Sequence, residues 1–250
     1  MRWIASGVTD IGRRRDRNED AYAVDDDRGV YVVADGMGGH AGGAHASALA
    51  VTKVTTEFAA AVRAADDELP GARGAVVAAA LRASVQAASA RILAYAKDHP
   101  EFKGMGTTVV VLVADGAEAH LAHVGDSRIY RFRGQEVAQL TEDHSLVAQS
   151  IRDGLITPEQ ARTHRMRNVI TRALGFDDAV DVEVRTESVA PGDVFLLCSD
   201  GLSGKVQPAE MAEALAALSL DDAVRRLIAL ANARGGEDNI TALAVRADAP

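Results

Sequence analysis

Two apolar runs in this chain end in the same way, Val30-Tyr31-Val32-Val33-Ala34-Asp35-Gly36 and Val194-Phe195-Leu196-Leu197-Cys198-Ser199-Asp200-Gly201. Short runs rich in β-branched and aromatic residues read as buried strands. An acid followed by glycine at the end of each puts a carboxylate where the chain turns. Two more carboxylates stand in turn-like settings, Val124-Gly125-Asp126-Ser127 and Gly235-Gly236-Glu237-Asp238-Asn239. Carboxylates delivered from separate strand ends provide the oxygen ligands that Mg²⁺ and Mn²⁺ prefer. The pattern points first to a metal-dependent hydrolase.

Strands are expected over residues 1–9 and 20–35, with a turn near Gly29. A glycine-rich loop from Gly36 to Gly43 leads into a helix to about Ala65, whose Leu49, Val51, Val54, Phe58, Ala61 and Val62 share a face. Pro70-Gly71 breaks it, and an alanine-rich helix follows from about Ala72 to Asp98, with Pro100 beyond its end. Strands come next at Thr107–Ala114, Glu118–Val124, Arg128–Arg133 and Glu136–Leu140. Asp115-Gly116 joins the first two at hairpin spacing, so it reads as turn chemistry rather than a third metal-bearing Asp-Gly. Strands at Val182–Val189, Val194–Ser199 and Ile240–Val245 and helices at Pro208–Leu218 and Leu220–Arg234 complete the chain. Strands at both ends with helix pairs between them predict an α+β fold. Two mainly antiparallel sheets would be packed face to face and flanked by helices, a four-layer α-β-β-α sandwich in one domain spanning 1–250.

A net charge of −9 argues against nonspecific affinity for nucleic acid or an anionic membrane, which reward basic surfaces. Neither a signal-like N-terminus nor a continuous apolar span is read, so a soluble, cytoplasmic protein is expected. The single cysteine, Cys198, lies in an apolar run without a basic neighbour and reads as a small buried hydrophobe.

Arg15-Asp16-Arg17-Asn18-Glu19-Asp20 carries a guanidinium able to grip two phosphate oxygens at once. Read alone, that hexapeptide is equally a charged surface turn, and the loop Asp35-Gly36-Met37-Gly38-Gly39-His40 is neither a dinucleotide fingerprint nor a P-loop. Their combination is far more specific. Arg15 with Glu19-Asp20, Asp35-Gly36-Met37-Gly38-Gly39, Gly106-Thr107-Thr108, Gly125-Asp126-Ser127-Arg128, Ser199-Asp200-Gly201 and Asp238-Asn239 occur in that order. From about Ser6 to Val245 the sequence resembles the metal-dependent serine/threonine protein phosphatases of type 2C, particularly the bacterial ones.

The resemblance implies hydrolysis of phosphoserine and phosphothreonine in proteins by a water or hydroxide bridging two Mn²⁺ or Mg²⁺ ions. Asp35 would bridge the ions and the Gly36 carbonyl would bind one of them, while Asp200 and Asp238 would ligate the other. Asp126, with Asp200, would hold a weaker third ion. Glu19 and Asp20 would hold metal-bound waters, Asn239 would orient Asp238, and Arg15 would bind phosphate. Some family members carry histidine where Met37 stands, so no general acid is assigned. Among the histidines, His40 and His45 lie in or just after the glycine loop, with His40 the nearer to the chemistry, and His120 and His123, alternating on a strand, read as packing or surface residues rather than ligands. Residues 143–178, with His144, His164 and the arginines Arg162, Arg165, Arg167 and Arg172, correspond to the segment that resembles the flap beside the family's active site, and read equally as an ordinary surface subdomain or as a flap whose arginines help choose phosphoprotein substrates. There Arg165 replaces a proline that often follows the position of His164. Partners implied are phosphorylated proteins and Ser/Thr kinases, with the chain a monomer and neither nucleic acid nor membrane a partner. Two rivals share parts of this pattern. One is a noncatalytic phosphatase-like regulatory module, disfavoured because no metal aspartate is missing. The other is a two-metal phosphodiesterase or nuclease, disfavoured by the acidic surface.

Overall fold

The computed structural model describes residues 1–38, 41–66, 73–177 and 179–249. The expectations placed on Gly39, His40, Pro70, Gly71 and the last residue of the flap lie outside them. Alternation of side chains along the strands explains the layering. In β3 (Val30–Met37), Val30, Val32 and Ala34 face one core, while Tyr31 and Val33 face another. In β10 (Val194–Cys198), Phe195 and Leu197 meet Tyr31 and Val33 in that second core, while Leu196 and Cys198 turn to a third. A strand with two buried faces needs apolar residues at every position, which is why these runs do not alternate with polar ones.

One sheet joins β1 (Arg2–Asp10), β11 (Ile240–Asp248), β10, β7 (Arg128–Arg133) and β8 (Glu136–Gln139) in that order. The other runs β2 (Asp20–Asp25), β3, β5 (Val109–Asp115), β6 (Glu118–Val124) and β9 (Glu183–Ser188), with β4 (Gly106–Thr107) pairing to β3. The pairings are antiparallel. Helices α1 (Gly42–Asp66) and α2 (Arg73–Asp98) cover the second sheet, and α6 (Pro208–Ala217) and α7 (Leu220–Ala233) cover the first. The expected α-β-β-α sandwich is what forms.

The helices follow from their sequences. Val77, Leu81, Val85, Ala88 and Ile92 recur every three or four residues along α2 and are all buried. Full burial of such aliphatic side chains stabilises by about 1.5–3 kcal/mol each before entropy is counted. Over a window of this helix the mean hydropathy reaches 1.3, enough by length and composition to cross a membrane, against the expectation that no stretch comes close. Its many alanines raise the hydropathy, and its buried face is spent on the core beneath it. In α7, Ser219 caps the first turn by accepting from Asp222 N–H, and Gly235 and Gly236 at positive φ end it. The hairpin reading of Asp115-Gly116 holds, with Gly116 at φ 61° and Asp115 ion-paired to Arg73.

Between β8 and β9, the segment 143–178 carries two short helices, α3 (Leu146–Arg152) and α4 (Pro158–Arg162). Ser145 caps the first, and a capping box between Thr157 and Gln160 starts the second. A four-residue helix, α5 (Asp200–Ser203), follows β10 directly.

Candidate metal centre

Asp35 lies near the end of β3 and pairs across the sheet with Asp20 at the start of β2. The expected strand over Thr107–Ala114 breaks at Thr108, and the break serves this site. Thr108 N–H donates to the Asp35 carbonyl at 2.9 Å, and the Thr108 hydroxyl accepts from Asp35 N–H at 3.1 Å. The same hydroxyl bonds Ser127 Oγ at 2.7 Å, tying the Asp35 strand to the turn that carries Asp126. Asp200 opens α5 and Asp238 precedes β11, so all four aspartates come from element ends at one edge of the sandwich.

Arg15, Glu19, Asp35, Gly36, Asp126, Asp200 and Asp238 line one pocket of about 320 Å³, with Met37, Gly38, Thr108, Asn168 and Ile170 completing its wall. Larger by volume is a shallow hollow around Asp25, Asp26 and Asp27, away from these residues. Arg15 Nη2 donates to Asp238 Oδ2 at 2.8 Å, with the guanidinium half exposed to solvent. Burial raises the Glu19 pKa, and the backbone N–H groups of Gly43 and Ala44 in the first turn of α1, where the helix dipole favours an anion, partly offset that rise.

Asp20 and Asn239 stand behind the wall. Asp20 Oδ2 accepts from Thr241 Oγ1 at 2.6 Å and Ser199 Oγ at 2.7 Å, while its Oδ1 is buried without a partner. Asn239 was expected to orient Asp238, and its backbone N–H does bond Asp238 Oδ1 at 2.8 Å. Its side chain has a different task. It donates to the carbonyls of Ile11 and Arg17 and accepts from Glu19 N–H, so it clasps the loop that presents Arg15. The roles of Thr108, Asn168 and Ile170 in the wall were not anticipated. Thr108 stands in the Gly106-Thr107-Thr108 motif, which by itself implies no role for its hydroxyl, and nothing in the pattern around Asn168 marks it.

Burial first, and then the neighbouring carboxylates, push Asp126 up to about 7 and Asp200 up to about 6. Burial and the charges of Asp20, Asp200, Asp126 and Asp238 hold Asp35 well above the ordinary range. Among the described residues, no three of these carboxylates bring ligand oxygens within 4.8 Å of one another, so they line a shared pocket rather than a closed cage. An all-oxygen donor set, crowded and underneutralised, with a buried orphan carboxylate oxygen beside it, fits hard divalent cations. Gly36 has no space for a side chain, since a Cβ there would lie 2.1 Å from Gly43 O and 2.6 Å from Glu19 O. Cys198 is fully buried and its thiol is pushed up to about 12 by burial, so it offers neither ligand nor nucleophile. His120 and His123 are buried packing residues, and His45 stacks on Phe102 and tilts against Tyr95.

Sequence comparison agrees with this site. The protein phosphatase 2C family profile matches residues 12–243, and the chain belongs to that family. It is 38% identical to the serine/threonine phosphatase stp of Listeria monocytogenes, across 96% of this chain and 94% of that protein. The crystal structure of the Mycobacterium tuberculosis serine/threonine phosphatase PstP superposes with a TM-score of 0.85 at 36% identity, covering 99% of both chains. The PstP catalytic domain in complex with two manganese ions gives 0.82 at 35% identity, again over 99% of each.

Proposed function

We propose that this chain hydrolyses phosphoserine and phosphothreonine in proteins with the help of two Mn²⁺ or Mg²⁺ ions. The observation that carries the reading is the convergence of Asp35, Asp200, Asp238 and Arg15 on one pocket. Asp35 and the Gly36 carbonyl, with Asp200 and Asp238, would hold the pair, and Asp126 with Asp200 would hold a weaker third ion. Glu19 in the wall and Asp20 behind it would accept hydrogen bonds from water held by those ions. Two such ions, when bound, offset phosphoryl charge and make water nucleophilic near neutral pH. Arg15 supplies the fixed positive group for the non-bridging phosphate oxygens, and its bond to Asp238 aims it before substrate arrives. Met37 and Ile170 add apolar surface to the wall, and Thr108 holds the backbone of Asp35.

The reading extends to context. We infer a cytoplasmic, monomeric signalling enzyme acting opposite Ser/Thr kinases, in one domain with residues 143–178 as its flap. Arg165 and Arg167 are exposed in that segment close in sequence to the pocket residue Asn168, which suits an anionic phosphoprotein. Phosphate release from a phosphothreonine peptide, with and without Mn²⁺, tests the activity. Release should require the ion, and Asp35→Asn should lower kcat by more than about a thousandfold. Wild-type turnover by Asp35→Asn would reject the assigned metal site.

A further inference from the structure

His144 lies outside the carboxylate pocket yet bonds Gly125 and Thr171, the immediate neighbours of the wall residues Asp126 and Ile170. With His123 and Glu183 it offers three ligand atoms within 4.8 Å of one another, a spacing that suits a cation. The hydrogen bonds say otherwise. Gly125 N–H donates to His144 Nδ1 at 3.0 Å, so the ring proton sits on Nε2, facing Glu183 Oε1 at 2.8 Å. His123 Nε2 lies 2.8 Å from the Glu142 carbonyl and must donate to it. Arg172 Nη1 stands 3.3 Å from the same Glu183 oxygen and 3.2 Å from His144 Nε2. Both Nε2 atoms are donors and a guanidinium already neutralises the carboxylate, so the group is a junction rather than a cation site.

What the junction joins is specific. His144 N–H donates to the Gly125 carbonyl at 2.9 Å, so residues 125 and 144 are bonded twice. Thr171 N–H donates to the His144 carbonyl at 2.8 Å, and Ser145 forms a bridge with Ile170. Gly125 holds φ 109° and any Cβ there would meet Thr108 at 2.6 Å, so this turn has one position available. Asp126 follows it into the pocket, and Asn168 and Ile170 enter the pocket from the other side of the junction. We propose that His144 is a positioning residue that holds the Asp126 turn through Nδ1 and the 168–172 segment through Nε2, Glu183 and Arg172. Burial lowers its proton affinity, in keeping with a neutral ring.

The proposal rests on reading the pocket as the reaction site, so its test includes a readout independent of turnover. In full-length His144→Ala, amide exchange should rise about tenfold in 124–127 and in 168–172, while β10 and β11 keep their protection. KM for a phosphothreonine peptide should rise with it. His144→Asn, whose Oδ1 can replace Nδ1 as acceptor, should restore protection at 124–127 but leave 168–172 fast. Exchange unchanged in either segment of His144→Ala, or raised throughout the core, overturns the proposal. So does His144→Asn matching the alanine variant at 124–127. If His144→Ala does not fold, His144→Asn carries the same comparison. A chain that exchanges as expected but never releases phosphate would instead reject the phosphatase reading.

Discussion

Gly201 has less room than any side chain can use. A Cβ at that position would sit 1.9 Å from the Asn239 carbonyl, backbone against backbone. Glycine there lets the Asp200 turn approach the Asp238 loop closely enough to share a site, and Gly201→Ala must push them apart. That variant should lose more than about tenfold in kcat and melt several degrees lower, which a Mn²⁺-saturated assay and a thermal scan would read. Unchanged melting would mean that the loops are not held as close as described. Asn239 makes a different claim. Its amide bonds three backbone groups across the Arg15 loop and is almost wholly buried. Asn239→Ala leaves those groups unpaired, at a cost of about 2–4 kcal/mol, and, on the phosphate-binding role proposed for Arg15, should raise KM more than it lowers kcat because the Arg15 loop is freed. Equal KM in the two proteins would separate Asn239 from Arg15. Asp35 and Asp200 stood out in sequence because a carboxylate at the end of a buried apolar run needs a reason. The clasp by Asn239 did not, since its partners lie more than two hundred positions away.

At the scale of elements, the long periodic helices and the apolar strands were readable because burial dictates their spacing. The short ones were not. The helix α5 has four residues and β4 has two, too few for any period to be detected. The interruption at Thr108 was equally hidden, because β4 and β5 read as one apolar strand. Its cause is a pair of hydroxyls, Thr108 and Ser127, bridging the Asp35 strand and the Asp126 turn. Thr108→Val keeps the shape and removes the bridge, leaving Asp35 N–H and Ser127 Oγ without that partner in a buried place. The substitution should cost about 1–3 kcal/mol in urea unfolding and reduce turnover at limiting Mn²⁺ more than at saturation. Stability equal to wild type would show that the break at Thr108 has another origin. The architecture was legible as four layers, whereas the wall residues Asn168 and Ile170 depend on how the 143–178 segment folds back, which no local pattern encodes.

For the molecule as a whole, the pocket concentrates negative charge in a chain that is already acidic, and folding without cations must work against it. Asp20 and Asp126 are pushed up to about 7, and Asp35 is held well above its usual range, by burial first and then by neighbouring carboxylates. A carboxylate whose folded pKa is raised keeps its proton in the native state after the unfolded chain has released it, so stability falls as pH climbs toward the folded value. Two other sets of groups oppose this trend elsewhere on the scale. The buried His120 and His144 are held below their ordinary pKa, which favours the native state as pH rises, but only up to about 6.5. Carboxylates lowered by arginine or histidine partners, such as Asp193 and Glu183, lose their contribution below the ordinary carboxylate range. Between pH 6.5 and 8 the lowered carboxylates are silent, the histidine contribution fades out, and the raised aspartates, two of them titrating at about 7, dominate. Metal-free protein should therefore melt at progressively lower temperature across that interval. Saturating Mn²⁺ should raise the melting point and flatten the slope, since cations bind the ionised carboxylates and proton release favours them at higher pH. A metal-free melting temperature that stays level or rises between pH 6.5 and 8 would mean that these side chains do not crowd one another, and with that the reason for the pocket to take up cations would be gone.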